Sequence, residues 1–202
     1  MTPASVARPG FRRAVAVVAT LNLAYFVVEF GVARIIGSVG LVADSIDFLE
    51  DGALNIIIVV ALTWTLGRRA RLGHVLALVI LLPAAATVVM AVAKILDPTR
   101  PPTLELTVTA TGALIVNLAC AAILVRHRHT SGSLASAAWL SARNDAVANL
   151  AILAAAVVAL GWHSGWPDIV VGLGIGALNA DAGRKVWRAA SAERLGRADA
   201  RA

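Results

Sequence analysis

Residues 39–66 read VGLVADSIDFLEDGALNIIIVVALTWTL, an apolar run with four acids in its first half. The run is longer than the ~20 residues that a helix needs to cross a bilayer. Within it, Asp44, Asp47, Asp51 and Asn55 recur at i, i+3, i+7 and i+11. At about 100° per residue, that spacing gathers all four on one narrow helical face. Glu50 falls off the edge of that face. An ionised carboxylate at membrane depth costs several kcal/mol (~2.5–3.5 on insertion scales). The helix therefore has to turn its acids toward a bundle interior, where they meet a cation, a proton or one another. A shorter echo follows at 141–149, SARNDAVAN, with Ser141, Asp145 and Asn149 one turn apart. The two stretches read as the walls of one cation site.

Composition supports a membrane setting. The 202 residues are 59% hydrophobic, with a mean hydropathy of +0.80. Soluble domains run at about 45–50%. The sequence pI of about 11.0 suggests nucleic acid at first sight. The basic residues, however, sit between apolar runs and near the C-terminus, as membrane-loop charges do, so no nucleic-acid partner is expected. The single Cys120 excludes an internal disulfide and a multi-cysteine zinc motif, and reads as a small packing residue. The first residues, MTPASVARPGFRR, lack the short apolar core and small-residue cleavage site of a signal peptide.

The fold class expected is all-α: a polytopic membrane protein of six transmembrane helices. They lie at roughly 12–36, 39–66, 72–96, 103–126, 133–160 and 166–189. Residues 1–11, with Pro3, Pro9 and Gly10, form a leader; 12–189 form the transmembrane domain; 190–202 form a short tail. The breaks are Gly37 and Gly40, GRRARLG (67–73), DPTRPP (97–102), RHRHTSGS (126–133) and GWHSGWPD (161–168). Lys and Arg set the orientation. With both termini cytoplasmic, that side holds Arg8, Arg12 and Arg13, then Arg68, Arg69 and Arg71, then Arg126 and Arg128. It also holds Arg184, Lys185, Arg188, Arg194, Arg197 and Arg201, and the far side only Arg34, Lys94 and Arg100. Trp64, Trp162, Trp166 and Trp187 fall near the interfaces, as an aromatic belt requires. The location expected is the cell inner membrane.

Further polar residues lie at membrane depth. Asn22 and Glu29 share a face of the first helix at i, i+7. Glu29 either lines a cation path or is a structural acid bonded to a neighbour; both readings stand. Asn117 reads as a helix–helix hydrogen bond. Arg143 points away from the Asp145 face, and His74 reads as interfacial. Gly172, Gly174 and Gly176 permit close backbone approach, within the chain or across a homodimer.

The chemistry of the site follows from spacing. Side chains four apart are neighbours on a helix, so Asp47 and Asp51 can share one ion. Asp145 adds a third carboxylate and Ser141 a hydroxyl, with Asp44 and Asn149 behind them. Oxygen donors favour hard or borderline divalent ions. Zinc sites usually include imidazole or thiolate, and neither stands at these positions. The alternative is a set of protonated acids that join helices by hydrogen bonds.

The six spans, with GSVGLVADSIDFLEDGALN, WLSARNDAVANLAIL and WPDIVVGLGIGAL, resemble the cation diffusion facilitator family of divalent-metal/proton antiporters. In that family helices 2 and 5 each carry [HD]xxxD, and these four residues bind the transported metal. Asp47-Phe-Leu-Glu-Asp51 fits the first motif in full. Ser141-Ala-Arg-Asn-Asp145 fits the second only at Asp145, with Ser141 where His or Asp is usual. The family usually ends in a cytoplasmic metal-binding dimerisation domain of ferredoxin-like fold. Residues 190–202 leave no room for it, so a short form is expected. RHRHTSGS stands at the place of an often His-rich loop; His127 and His129 there are weak metal captors or ordinary loop residues.

The resemblance implies a secondary transporter that exports a divalent metal in exchange for protons, and not an enzyme. Its cargo belongs to the manganese, iron, cobalt, zinc or cadmium class, and no prosthetic group is expected. The partners are metal, protons and the lipid bilayer, with a homodimer admitted. Two rivals remain: a non-transporting metal-binding sensor in the membrane, and an intramembrane aspartyl hydrolase built on Asp145 with Asp47 or Asp51.

Overall fold

The computed structural model describes residues 9–61, 75, 78, 85, 87–126, 133–162 and 164–199. Six helices carry them: α1 (Pro9–Ile36), α2 (Val39–Ala61), α3 (Thr87–Leu96), α4 (Thr103–Val125), α5 (Ser133–Trp162) and α6 (Trp166–Asp199). The all-α architecture expected from hydropathy is the one found. α2 lies at the centre, packed along α1 and α6 and also touching α5 and α4; α4 packs along α5. The loop at 67–73, most of the predicted third span before Thr87, and His127 and His129 lie outside the described residues.

Among the described residues, α1, α4 and the Asn144–Trp162 part of α5 are long and apolar enough to cross a membrane. Thr87–Leu96 and Trp166–Leu178 are shorter apolar helices. α2 does not qualify by composition, because Asp44, Asp47, Glu50 and Asp51 all fall inside it. Its acids are instead sheltered by its neighbours. The surface is correspondingly apolar: Ile35 is 86% exposed and Leu104 73%, whereas Asn22, Glu29, Asp44 and Asn149 are fully buried. A polar interior inside an apolar exterior suits lipid as the solvent.

Two predicted boundaries move. α1 starts at Pro9, so residues 9–11 belong to the helix and not to the leader. Proline is tolerated in a first turn, and Phe11 gains a buried place with Val15 and Val18 against Cys120 and Leu124 of α4. α6 does not stop near 189; residues read as tail continue it to Asp199. The stretch after Gly183 contains no helix breaker except Gly196, and is rich in Ala, Arg and Glu, all good helix formers.

The turn between α1 and α2 is fixed by Gly37, whose φ of +68° is open to glycine at little cost. The Ser38 amide donates back to the Ala33 carbonyl at 3.1 Å, closing α1 as such left-handed caps do. Gly40, expected to help break the chain here, lies inside the first turn of α2. Ser38 caps that turn: its Oγ accepts from the Leu41 amide at 3.1 Å. Asp168 of α6 completes the cap from outside. It accepts from the Val39 amide (2.8 Å), the Gly40 amide (3.1 Å) and Ser38 Oγ (2.6 Å). The negative charge sits at the positive end of the α2 dipole.

Lys94 of α3 joins the same point, 3.0 Å from Asp168 Oδ2, and also donates to the Gly37 carbonyl. At the same end, Val39, Ala91 and Ile169 form one small core. A larger core of Leu41, Val42, Leu106, Ala110, Ile152 and Ile175 lies beside it. The α1–α2 turn is thus tied to both α3 and α6, which sets the depth of every acid that follows on α2.

Candidate metal site between α2 and α5

The acids of α2 follow its first turn, inside the packed bundle. α5 runs antiparallel to α2, so that later residues of α5 face earlier residues of α2. Asp51 and Asp145 meet first: their carboxyl groups stand as hydrogen-bond neighbours across the α2–α5 contact. Asp51 is 8% exposed, and Asp145 is half-buried. Asp47, half-buried, lies within electrostatic reach of Asp145, Asp44, Glu50 and Asp51. These are the three carboxylates that spacing alone singled out. Among the described residues, no three of His, Cys, Asp and Glu are drawn together tightly enough to form a ready-made metal cage.

Ser141 lies on α5 one turn before Asp145, but its side chain is outside the described residues, as is that of Arg143. Asn149 lies one turn after Asp145. Its Nδ2 donates to the Asp145 carbonyl at 2.9 Å and to Asp44 Oδ1 at 3.3 Å. Asn149 therefore links the turn that carries Asp145 to a deeper acid of α2. Asn55 behaves similarly at the other end, donating from Nδ2 to the Asp51 carbonyl at 2.8 Å.

Glu29 does not join Asp51 and Asp145. It faces Asp44, carboxyl to carboxyl, across the α1–α2 contact. Tyr25, one turn earlier on α1, is held by a hydrogen bond from its hydroxyl to the Thr109 carbonyl at 2.6 Å. Its ring lies against Phe48, with centroids 5.1 Å apart. This fixes α1, α2 and α4 relative to one another beside the acids.

Three features escaped the sequence. Glu50, placed off the polar face, is buried at 8% exposure; its own turn of α2 is enclosed by neighbours that periodicity cannot supply. Asp168 and Lys94 read as a turn residue and a far-side charge, yet they form a buried pair. The Trp-Pro-Asp start of α6 carried a helix-start signal, with Pro at the first turn, but nothing in it named α2 as the partner. Asn117, expected to bridge helices, is buried with its amide nitrogen unpartnered. Cys120 is fully buried, as expected of a packing residue, and lies 3.6 Å from Asn22 Oδ1.

An apolar helical bundle with its carboxylates turned inward defines a membrane protein. Residues 15–193 match the cation efflux transmembrane domain, and the chain belongs to that family. Its members are membrane transporters of divalent metal cations, and they are not enzymes, which removes the hydrolase reading. No curated protein matches the chain.

Proposed function

We propose that this protein exports a divalent metal ion from the cytoplasm in exchange for protons, through Asp47, Asp51 and Asp145, with Ser141 as a weak fourth donor. The observation that carries the reading is the meeting of Asp51 and Asp145 across α2 and α5, with Asp47 in electrostatic reach. Three carboxylates in an apolar bundle cannot all stay ionised unless a cation joins them. They bind metal when ionised and protons once the metal has left. Metal binding therefore releases protons, and an inward proton gradient drives metal outward.

Alternating access follows from rocking of helices about the site. The arginines near the N-terminus, at 126–128 and in the last turns of α6 support a cytoplasmic side for both termini, and the inner membrane is the location this reading takes. An oxygen-dominated set suits manganese, iron(II) and cobalt, and binds zinc or cadmium less selectively. The same geometry serves a non-transporting sensor, or a homodimer in which each chain holds its own ion. Uptake of Mn²⁺ into proteoliposomes against an imposed pH gradient separates these. Gradient-driven accumulation is the expected result, and binding without accumulation favours the sensor.

A further inference from the structure

The interior carries a second group of acids that the α2–α5 site does not use. Glu29 is 0% exposed, and its carboxylate oxygens accept from no donor; the group beside them is another acid, the Asp44 carboxyl. Asp44, also 0% exposed, faces it; its Oδ1 accepts from Asn149, and its Oδ2 has no partner. Asn149 is itself fully buried, and with its nitrogen spent on Asp44 and the Asp145 carbonyl, its Oδ1 is unpartnered too. Four unpartnered oxygens from α1, α2 and α5 thus occupy one buried layer. Buried acceptors of this kind are ordinarily satisfied, since each unmet one costs about 1–3 kcal/mol and more if charged.

The usual partners are engaged elsewhere. Among the described residues, Lys94 is held by Asp168 and the Gly37 carbonyl. Arg100 donates to the Ala159 carbonyl at 3.0 Å, and Arg34 lies 3.9 Å from Met90 Sδ. The Tyr25 hydroxyl donates to Thr109. Among the described residues, none brings positive charge to the layer.

We propose that Glu29, Asp44 and the Asn149 side-chain oxygen form a second divalent-cation site. Two carboxylates and a neutral amide oxygen match a +2 ion in charge, and an all-oxygen set matches a hard one. The layer adjoins the first and extends it toward the α1–α2 turn, with Asp47 within electrostatic reach of both. Asp44 precedes Asp47 by three residues and Asp51 by seven, about 4.5 Å and about 10 Å along a helix at ~1.5 Å per residue. Asn149 follows Asp145 by one turn on the antiparallel α5. Both displacements lead toward the α1–α2 turn. The inference deepens the transport reading above and rests on it for direction: an ion released by Asp51 and Asp145 meets this layer next on its way across.

The test counts Mn²⁺ bound to the full chain in detergent, by equilibrium dialysis. Two ions per chain are expected for the parent, one for Glu29→Gln, one for Asp51→Asn and none for the double variant. Glu29→Gln binding like the parent overturns the second site, as does a parent that binds one ion lost only in Asp51→Asn; the layer then holds a proton. A folded Glu29→Gln that binds nothing also overturns it, because the two layers are then a single site. Asp51→Asn retaining both ions leaves this inference standing and removes the α2–α5 site instead. Should Glu29→Gln not fold, Glu29→Asp keeps the charge but withdraws the carboxylate by one methylene. It should weaken one of the two binding steps about tenfold, and an unchanged isotherm overturns the proposal.

Discussion

Asp168 and Lys94 form a buried ion pair, Oδ2 to Nζ 3.0 Å, with their side chains 5% and 8% exposed. Asp168 also accepts from two α2 amides and Ser38 Oγ, so one carboxylate joins α3, α6 and the start of α2. Removing one partner of a buried pair typically costs about 3–5 kcal/mol, because the other charge is left uncompensated. Asp168→Asn should therefore lower the thermal unfolding midpoint in detergent markedly. Adding Lys94→Met should recover part of the loss. A double variant no more stable than Asp168→Asn would show that the lost amide caps, and not the stranded ammonium, carry the effect.

Asp51→Asn and Asp145→Asn should each abolish metal transport in proteoliposomes, while the protein elutes from size exclusion as the parent does. The two carboxyl groups face each other, so an amide at either removes one of the three carboxylate charges that hold the ion. Full transport by either variant means that the metal passes elsewhere.

Metal affinity should fall as pH falls, since protons compete for the carboxylates that the ion needs. The sign is fixed by the chemistry: acid fills the ligands and alkali frees them. Export should also weaken as the outside is made more alkaline, because the inward proton drive disappears. A flux indifferent to an imposed pH gradient excludes antiport and leaves passive facilitation.

Ser141→His should tighten zinc binding relative to manganese, as a neutral imidazole is a far better zinc ligand than a hydroxyl. Competitive binding of the two metals, at one pH and salt condition, gives the ratio. An unchanged ratio in a parent that already prefers zinc strongly would place Ser141 outside the site.

Gly172→Ala should destabilise the bundle and Gly174→Ala should not. A Cβ at Gly172 would fall 2.6 Å from the Val39 carbonyl carbon and 2.8 Å from the Gly40 nitrogen, whereas one at Gly174 meets nothing within 4 Å. Backbone cannot step aside, and overpacking of this kind costs about 1–3 kcal/mol. The exposed position gains helix propensity of up to about 1 kcal/mol. Thermal unfolding of both variants is the check; equal midpoints would mean that α6 does not press on α2 at Gly172.

Sequence alone carried the helical class and the line of acids on α2. Hydropathy runs, Gly and Pro breaks and a helical period of acids are local properties, and each is set within a single helix by backbone geometry and by the cost of charge in lipid. That Asp44, Asp47 and Asp51 share one face of a helix was legible for that reason. The boundaries at Pro9 and Asp199 were less so, because the first depends on what Phe11 packs against and the second on an absence of breakers.

Only the tertiary structure decided what each acid faces. Glu29 could have turned to any neighbour, and it turned to Asp44. Glu50 is buried by other helices, not by its own. Asp168 and Lys94 found each other and the start of α2 across 74 and 129 residues of chain. The pairing of buried charges depends on the register of one helix against another. That register is set by the sum of many side-chain contacts, and no window of sequence contains them all.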